Sequence, residues 1–278
     1  MLKTRVITAL VLVALLLPAM FYLPPAYWAL VVAAFIGVGA WEWGALLGWR
    51  YTQRVILGVV TALICAVISL LAPDAIGAGA SVIPAQAWVL AVYAVAAVFW
   101  CLVIPLWLKN KWSLIGLGGL LVGAVVLIPT WLAMVQLRIL GPGVLLAIFA
   151  VVWMADIAAY FSGKAFGKHK LAPSISPGKT WEGAIGAGIG VVAYGVVLRQ
   201  IFAFDLLSLP LWILALLGVT VVSIMGDLYE SLLKRKAGIK DSSNVLPGHG
   251  GVLDRIDSLT STLPVVAFFW ILMVYLQL

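Results

Sequence analysis

Nine separate runs of apolar residues, each close to the length of a membrane crossing, take up most of this chain. They fall at 6–23, 26–48, 55–72, 86–108, 113–135, 139–162, 181–203, 209–230 and 259–277. Crossing the hydrocarbon takes about 20 apolar residues in helical form. Lipid offers no partner to an exposed backbone N–H or C=O, so such runs must be helices. The pattern predicts an all-α fold, a polytopic integral membrane protein of about nine transmembrane helices. Composition agrees, with 65% of residues hydrophobic and 10% charged, against roughly 45–50% and about 25% in soluble domains.

The amino terminus, MLKTRVITALVLVALLLPAMFYLPP, resembles a signal peptide. A second apolar run follows almost at once and no clean small-x-small site stands out, so it is read as a retained first span. Cys65 and Cys101 lie inside apolar runs and read as small buried hydrophobes, with no disulfide framework and no Cys metal site. No internal repeat is evident. Residues 1–136 read as N-terminal spans, about five of them. Residues 137–278 read as a second transmembrane region, which carries the polar sequence.

Basic residues test the layout independently. With the amino terminus in the cytoplasm, the cytoplasmic ends and connections hold Lys3, Arg5, Arg50, Arg54, Lys109, Lys111, Lys164, Lys168, Lys170, Lys179, Lys234, Arg235, Lys236, Lys240 and Arg255. The opposite side holds Arg138 and Arg199. That bias matches the rule that Lys and Arg stay inside, and it puts the carboxyl terminus outside. Topology and attraction to anionic lipid account for Lys3, Arg5, Arg50, Arg54, Lys109 and Lys111. They do not account for the acids on the same side: Glu42, Asp156, Glu182, Asp227, Glu230, Asp241, Asp254 and Asp257, with only Asp74 and Asp205 outside. Ionisable groups within spans are costly and usually mark function.

Asp227, Glu230, Ser231 and Lys234 share one helix face by their spacing. Asp254 and Asp257 are again three apart, after a glycine-rich turn. Carboxylates on two elements that meet suit magnesium, which takes a few hard oxygen ligands and fills the rest with water and substrate phosphate. Ion pairs that tie helix ends together are the plain alternative. Lys234, Arg235, Lys240 and Arg255 interleave with these acids, and FSGKAFGKHKLAPSISPGKTWEG (161–183) adds a second basic cluster. Metal-binding acids beside phosphate-binding bases is the pattern of phosphoryl transfer. In PGHGGVLDRID the glycines would let backbone approach phosphate, and the helix that follows would offer its first N–H groups to an anion. SPGKTWEG reads the same way. His249 is open to several roles: base, ligand, phosphate donor or turn residue. His169 reads as a surface or phosphate contact, and Gly186 with Gly190 as a close helix contact.

The stretch from Ser231 to Asp257 resembles the motif of the phosphatidate cytidylyltransferases, the CDP-diacylglycerol synthases. It matches at Ser231, Leu233, Lys234, Arg235, Lys240, Asp241, Ser243, Leu246, Pro247, His249, Gly250, Gly251, Val252, Asp254, Arg255, Ile256 and Asp257, with no departure. Asp156, Tyr160, Gly163, Gly167, Ser176, Pro177, Lys179, Thr180, Glu182 and Gly183 resemble the family's second polar block. The matches cover roughly residues 150–258. No functional residue is carried onto the first half.

The resemblance implies an enzyme of the bacterial inner membrane that joins CTP to phosphatidic acid, releasing pyrophosphate. It implies magnesium, with the number of cations left open, and a homodimer; no nucleic-acid partner is expected. Asp227 and Asp254 would be metal-linked carboxylates, with Asp257 a further ligand or a neighbour of one. Lys234, Arg235, Lys240 and Arg255 are candidates for the phosphates, with Ser231, Gly250 and Gly251 alongside. Lys179 and Ser176 would close the site from the other block. Asp241 would orient Lys240 or touch the nucleotide, and Asp156 and Glu182 would support the site. A transporter, a cytidylyltransferase for another lipid acceptor and a passive lipid-binding protein are the rival classes. A carrier would place its acids near the midplane, often within inverted repeats.

Overall fold

The computed structural model describes residues 2–77, 86–203 and 206–276; Asp205 lies outside them. Ten α-helices appear in chain order: α1 (Leu2–Tyr22), α2 (Pro25–Leu46), α3 (Tyr51–Leu71), α4 (Ala87–Val98), α5 (Ile104–Asn110), α6 (Gly116–Leu137), α7 (Pro142–Phe166), α8 (Trp181–Ile201), α9 (Leu209–Lys236) and α10 (Leu253–Tyr275). A π-helical turn, Phe99–Val103, runs α4 into α5 as one span. Among the described residues nine helical spans are long and apolar enough to cross a membrane. The chain is an all-α polytopic membrane protein.

Proline and glycine set several boundaries. Pro25, Pro142 and Pro210 stand in the first turns of α2, α7 and α9. There the fixed φ suits the helix and the missing N–H has no partner to lose. Pro264 stands inside α10, where it strips the Thr260 carbonyl of its helical donor. The Thr130 hydroxyl of α6 lies 3.3 Å from that carbonyl.

Two boundaries differ from the hydropathy reading. α9 runs on through its charged residues to Lys236, and α10 begins at Leu253 rather than 259. The 28 residues of α9 make a rod of roughly 42 Å at about 1.5 Å per residue. That exceeds a hydrocarbon core of roughly 30 Å. Helical hydrogen bonding continues where hydropathy stops, because the charged side chains find partners in the protein. Within the stretch 161–183, between the end of α7 and the start of α8, lies a small antiparallel β-hairpin, β1 (Lys170–Ala172) with β2 (Ser176–Thr180).

The core joins both halves of the chain. One buried apolar cluster runs from Met20 and Trp28 through Trp131 and Tyr229 to Leu263 and Ile271. Indole N–H groups knit α2 to α6: Trp28 donates to the Met134 carbonyl at 3.2 Å, Trp43 to Gly119 at 3.0 Å, and Trp131 to Ala29 at 3.0 Å. Small residues let other helices touch. A Cβ on Gly190 would lie 2.6 Å from that of Ala158, and one on Gly186 would strike Ser162, so the expected close contact is the α7–α8 seam. Cys65 is buried and Cys101 faces outward; both are free thiols.

Candidate active site

The site is built where α9 and α10 come closest. A Cβ on Gly226 would lie 2.8 Å from the Asp257 carbonyl oxygen and strike Ser261. This contact sets Asp227 beside Asp257. Asp227, Glu230, Ser231 and Lys234 do share one face of α9, and the Ser231 hydroxyl donates to Asp227 Oδ1 at 3.2 Å. Asp257 keeps its carboxyl local, accepting from the Ser258 amide at 2.7 Å. Asp227 and Asp156 both lie within electrostatic range of Asp257, and Asp156 is in turn within range of Lys179 and Arg255. Three carboxyl groups from three helices thus face a common region. Among the described residues, no three His, Cys, Asp or Glu side chains converge tightly enough to hold an ion unaided.

Asp254 is used differently. Its Oδ1 takes Lys234 Nζ at 2.6 Å. Its Oδ2 takes the amides of Ser242 (2.9 Å) and Gly251 (2.8 Å) and the Ser242 hydroxyl (3.0 Å). Asp254 therefore folds the 241–252 loop back onto the start of α10. Lys234 also lies 3.1 Å from Glu230 Oε1, so its charge is shared between two acids. The ion pairing that spacing left open beside metal and phosphate binding is formed here by Lys234 with Asp254 and Glu230.

The turn itself is tight. Gly248 and Gly250 have φ of 76° and 80°, conformations that glycine adopts at little steric cost. The His249 amide donates to the Leu246 carbonyl at 2.8 Å, and Nδ1 of its ring is buried with no hydrogen-bond partner among the described residues. The first N–H groups of α10 do not face open space. The Gly251 amide is held by Asp254, and the amides of Val252 and Leu253 donate to Glu42 on α2 at 2.9 and 2.7 Å. The expectation that this helix start offers itself to an anion is corrected on that ground: carboxyl groups of the chain already cap it.

The hairpin brings in the second polar block. Lys179 Nζ lies 2.5 Å from Asp227 Oδ2. The Thr180 hydroxyl caps α8 by accepting from the Gly183 amide at 3.1 Å. Glu182 accepts from the His169 amide at 3.2 Å and meets His169 Nδ1 at 2.6 Å, which fixes the base of the hairpin. His169 is exposed, as its reading as a surface contact required. Ser176 is half-buried on β2. Arg235, Lys240, Asp241 and Arg255 are exposed, free to meet solutes.

Further contacts come from two helices the motifs do not cover. On α1, the Thr8 hydroxyl donates to the Pro247 carbonyl at 2.8 Å, and Arg5 packs against Gly248. On α2, Glu42 is wholly buried against the loop. The signal for Glu42 was present in the sequence as a lone acid in an apolar span. Its partner was not.

A sequence profile of the cytidylyltransferase family matches residues 3–273. The chain belongs to the cytidylyltransferase family. Its relatives include a phosphatidate cytidylyltransferase of Pseudomonas aeruginosa, 44% identical over 96% of each chain. One of Haemophilus influenzae is 38% identical over 97% of this chain and 99% of that protein. One of Staphylococcus aureus is 40% identical over 57% of this chain and 60% of its own. Cytidylyltransferases are nucleotidyl-transferring enzymes, and this one is a membrane enzyme whose likeness to them includes the first five spans.

Proposed function

We propose that the protein transfers the cytidylyl group of CTP to phosphatidic acid, giving CDP-diacylglycerol and pyrophosphate. The observation that carries this reading is near-full-length likeness to two proteins that bear the name phosphatidate cytidylyltransferase. The meeting of both polar blocks at Lys179 and Asp227 supports placing the reaction there. Carrier chemistry has no comparable support.

The lipid phosphate is a monoester with a second pKa of about 6, by analogy with phosphoserine, so much of it is dianionic at neutral pH. One of its oxygens attacks the α-phosphorus of CTP in line. The bond from that phosphorus to the bridging oxygen breaks, and pyrophosphate leaves with the electron pair. No proton need be removed from the nucleophile, so His249 is not required as a base. The work lies in bringing polyanions together in the right geometry. Arg255, Arg235 and Lys240 are exposed cations suited to phosphate oxygens, and Lys179 holds the hairpin over the same region.

Magnesium would neutralise charge on the phosphate oxygens. Asp227 and Asp257 fit it: two nearby carboxyl groups would suffice for this ion where water and substrate phosphate supply its other ligands. Asp254 would join by releasing Lys234, as Asp227 would by releasing Lys179, and it also shapes the loop. The nucleotide would come from the cytosol, in keeping with the bias of Lys and Arg toward this end of the bundle.

The test is incorporation of radiolabelled CTP into organic-extractable lipid by purified protein in detergent. Label in CDP-diacylglycerol that needs both phosphatidic acid and magnesium supports the proposal. Label that appears only with an isoprenoid-derived or other acceptor replaces the substrate. No label from folded protein with any acceptor refutes the reaction.

A further inference from the structure

The candidate phosphate-binding turn is held by a carboxyl group from the opposite half of the chain. Glu42, on α2, is 0% exposed. Its Oε1 accepts from the Ser243 hydroxyl at 2.5 Å and the Val252 amide at 2.9 Å, and its Oε2 accepts from the Leu253 amide at 2.7 Å. All three donors belong to the loop between α9 and α10 or to the helix start that ends it. Asp254 grips the same loop from the other side through Ser242 and Gly251. The second glycine of His-Gly-Gly sits between the two clamps. A Cβ on Gly251 would lie 2.6 Å from the Glu42 carboxyl carbon and would also strike Ser242. The glycine is therefore required by the approach of Glu42, whatever binds on the outer side of the turn.

We infer that Glu42 is a positioning residue for the transfer reaction: it fixes the 243–253 segment, and through it the first turn of α10 that carries Arg255 and Asp257. Two features separate this from ordinary core packing. The bonds run to backbone amides at a helix start, where orphan N–H groups otherwise need water or a ligand. They also set the direction of a helix whose next residues face Asp227 and Asp156. A shift of about 1 Å at reacting groups lowers rates by about 100-fold. The inference rests on the proposed reaction for its kinetic readout but not for its structural one.

The experiment uses the full-length protein in detergent with Glu42→Gln, Ser243→Ala and the double variant. Glu42→Gln keeps the volume and turns one acceptor into a donor that faces donors. The expected result is a fall in kcat of about 10- to 100-fold with KM for CTP within about threefold of wild type. The melting profile stays monodisperse and cooperative. Ser243→Ala lowers kcat less, and the double variant falls no further than Glu42→Gln alone, since both act through one loop. Hydrogen–deuterium exchange of 247–253 rises in Glu42→Gln while the rest of α2 keeps its protection. Wild-type kcat in folded Glu42→Gln overturns the inference, as does unchanged exchange in the turn. If Glu42→Gln fails to fold, Ser243→Ala decides alone, and wild-type kcat with wild-type exchange overturns it. If the wild-type protein makes no CDP-lipid, the reaction falls, and exchange still decides whether Glu42 holds the turn.

Discussion

Lys179 Nζ lies 2.5 Å from Asp227 Oδ2, and this pair joins the β-hairpin before α8 to the C-terminal half of α9. Each side chain is about one-quarter exposed, at 26% and 27%. A pair so open to solvent contributes about 0–1 kcal/mol to stability. Its value lies in where it puts a cation. Lys179→Met is expected to lower kcat/KM by about 100-fold, the usual cost of losing one preorganised charged donor. The melting temperature in detergent should hardly move. A large drop in melting temperature with normal activity per folded molecule would show the pair to be structural.

Lys234 and Asp254 form the opposite kind of pair. Their side chains are 13% and 4% exposed, and the contact is 2.6 Å. Losing Asp254 breaks a buried pair and leaves Lys234 only Glu230, and breaking buried pairs costs up to about 3–5 kcal/mol. Asp254→Asn should therefore lose both activity and thermal stability. Combining it with Lys234→Met should restore neither stability nor activity, because the buried Glu230 then loses its cation as well. Differential scanning fluorimetry beside the labelled-CTP assay separates the two effects. Full stability in Asp254→Asn alone would contradict the bonding described here.

Two glycines of α9 offer a paired test. Gly226→Ala would set a Cβ 2.8 Å from the Asp257 carbonyl oxygen, a backbone atom that cannot swing aside. Such overpacking costs about 1–3 kcal/mol. Because it parts Asp227 from Asp257, activity should fall more than stability does. Among the described residues, Gly218 has nothing within 4 Å of its missing Cβ. Gly218→Ala should gain about 0.5–1 kcal/mol of helix stability and leave turnover at the wild-type level.

Divalent-cation removal should stop the reaction, and magnesium should restore it. Asp257→Asn is expected to raise the magnesium concentration for half-maximal rate by about 10- to 100-fold, the loss common when a ligand or its close neighbour is removed. Ser258→Ala keeps the amide that bonds Asp257 and should leave that concentration unchanged. A titration of initial rate against magnesium reads both. An unchanged requirement in Asp257→Asn would remove that residue from the metal assignment.

Much was legible in the residues themselves. Transfer of apolar side chains into lipid is a local property, additive along the chain, so hydropathy located nine spans before any packing was known. The motif from Ser231 to Asp257 pointed to the family because its residue types recur at fixed spacing. Gly186 and Gly190 announced a close helix contact because only small side chains permit one. What the tertiary structure decided was partnership. Hydropathy ended α9 and opened α10 at their charges, whereas the helices run through them, because Lys234, Glu230 and Asp254 are paired inside the protein. Spacing left Asp254 and Lys234 open between metal and phosphate binding and an ion pair; the fold sets them 2.6 Å apart. Nothing near Glu42 in sequence tells that it caps a helix 211 positions away. Burial makes a carboxyl group find donors, but which donors depends on how distant helices pack, and no local pattern records that.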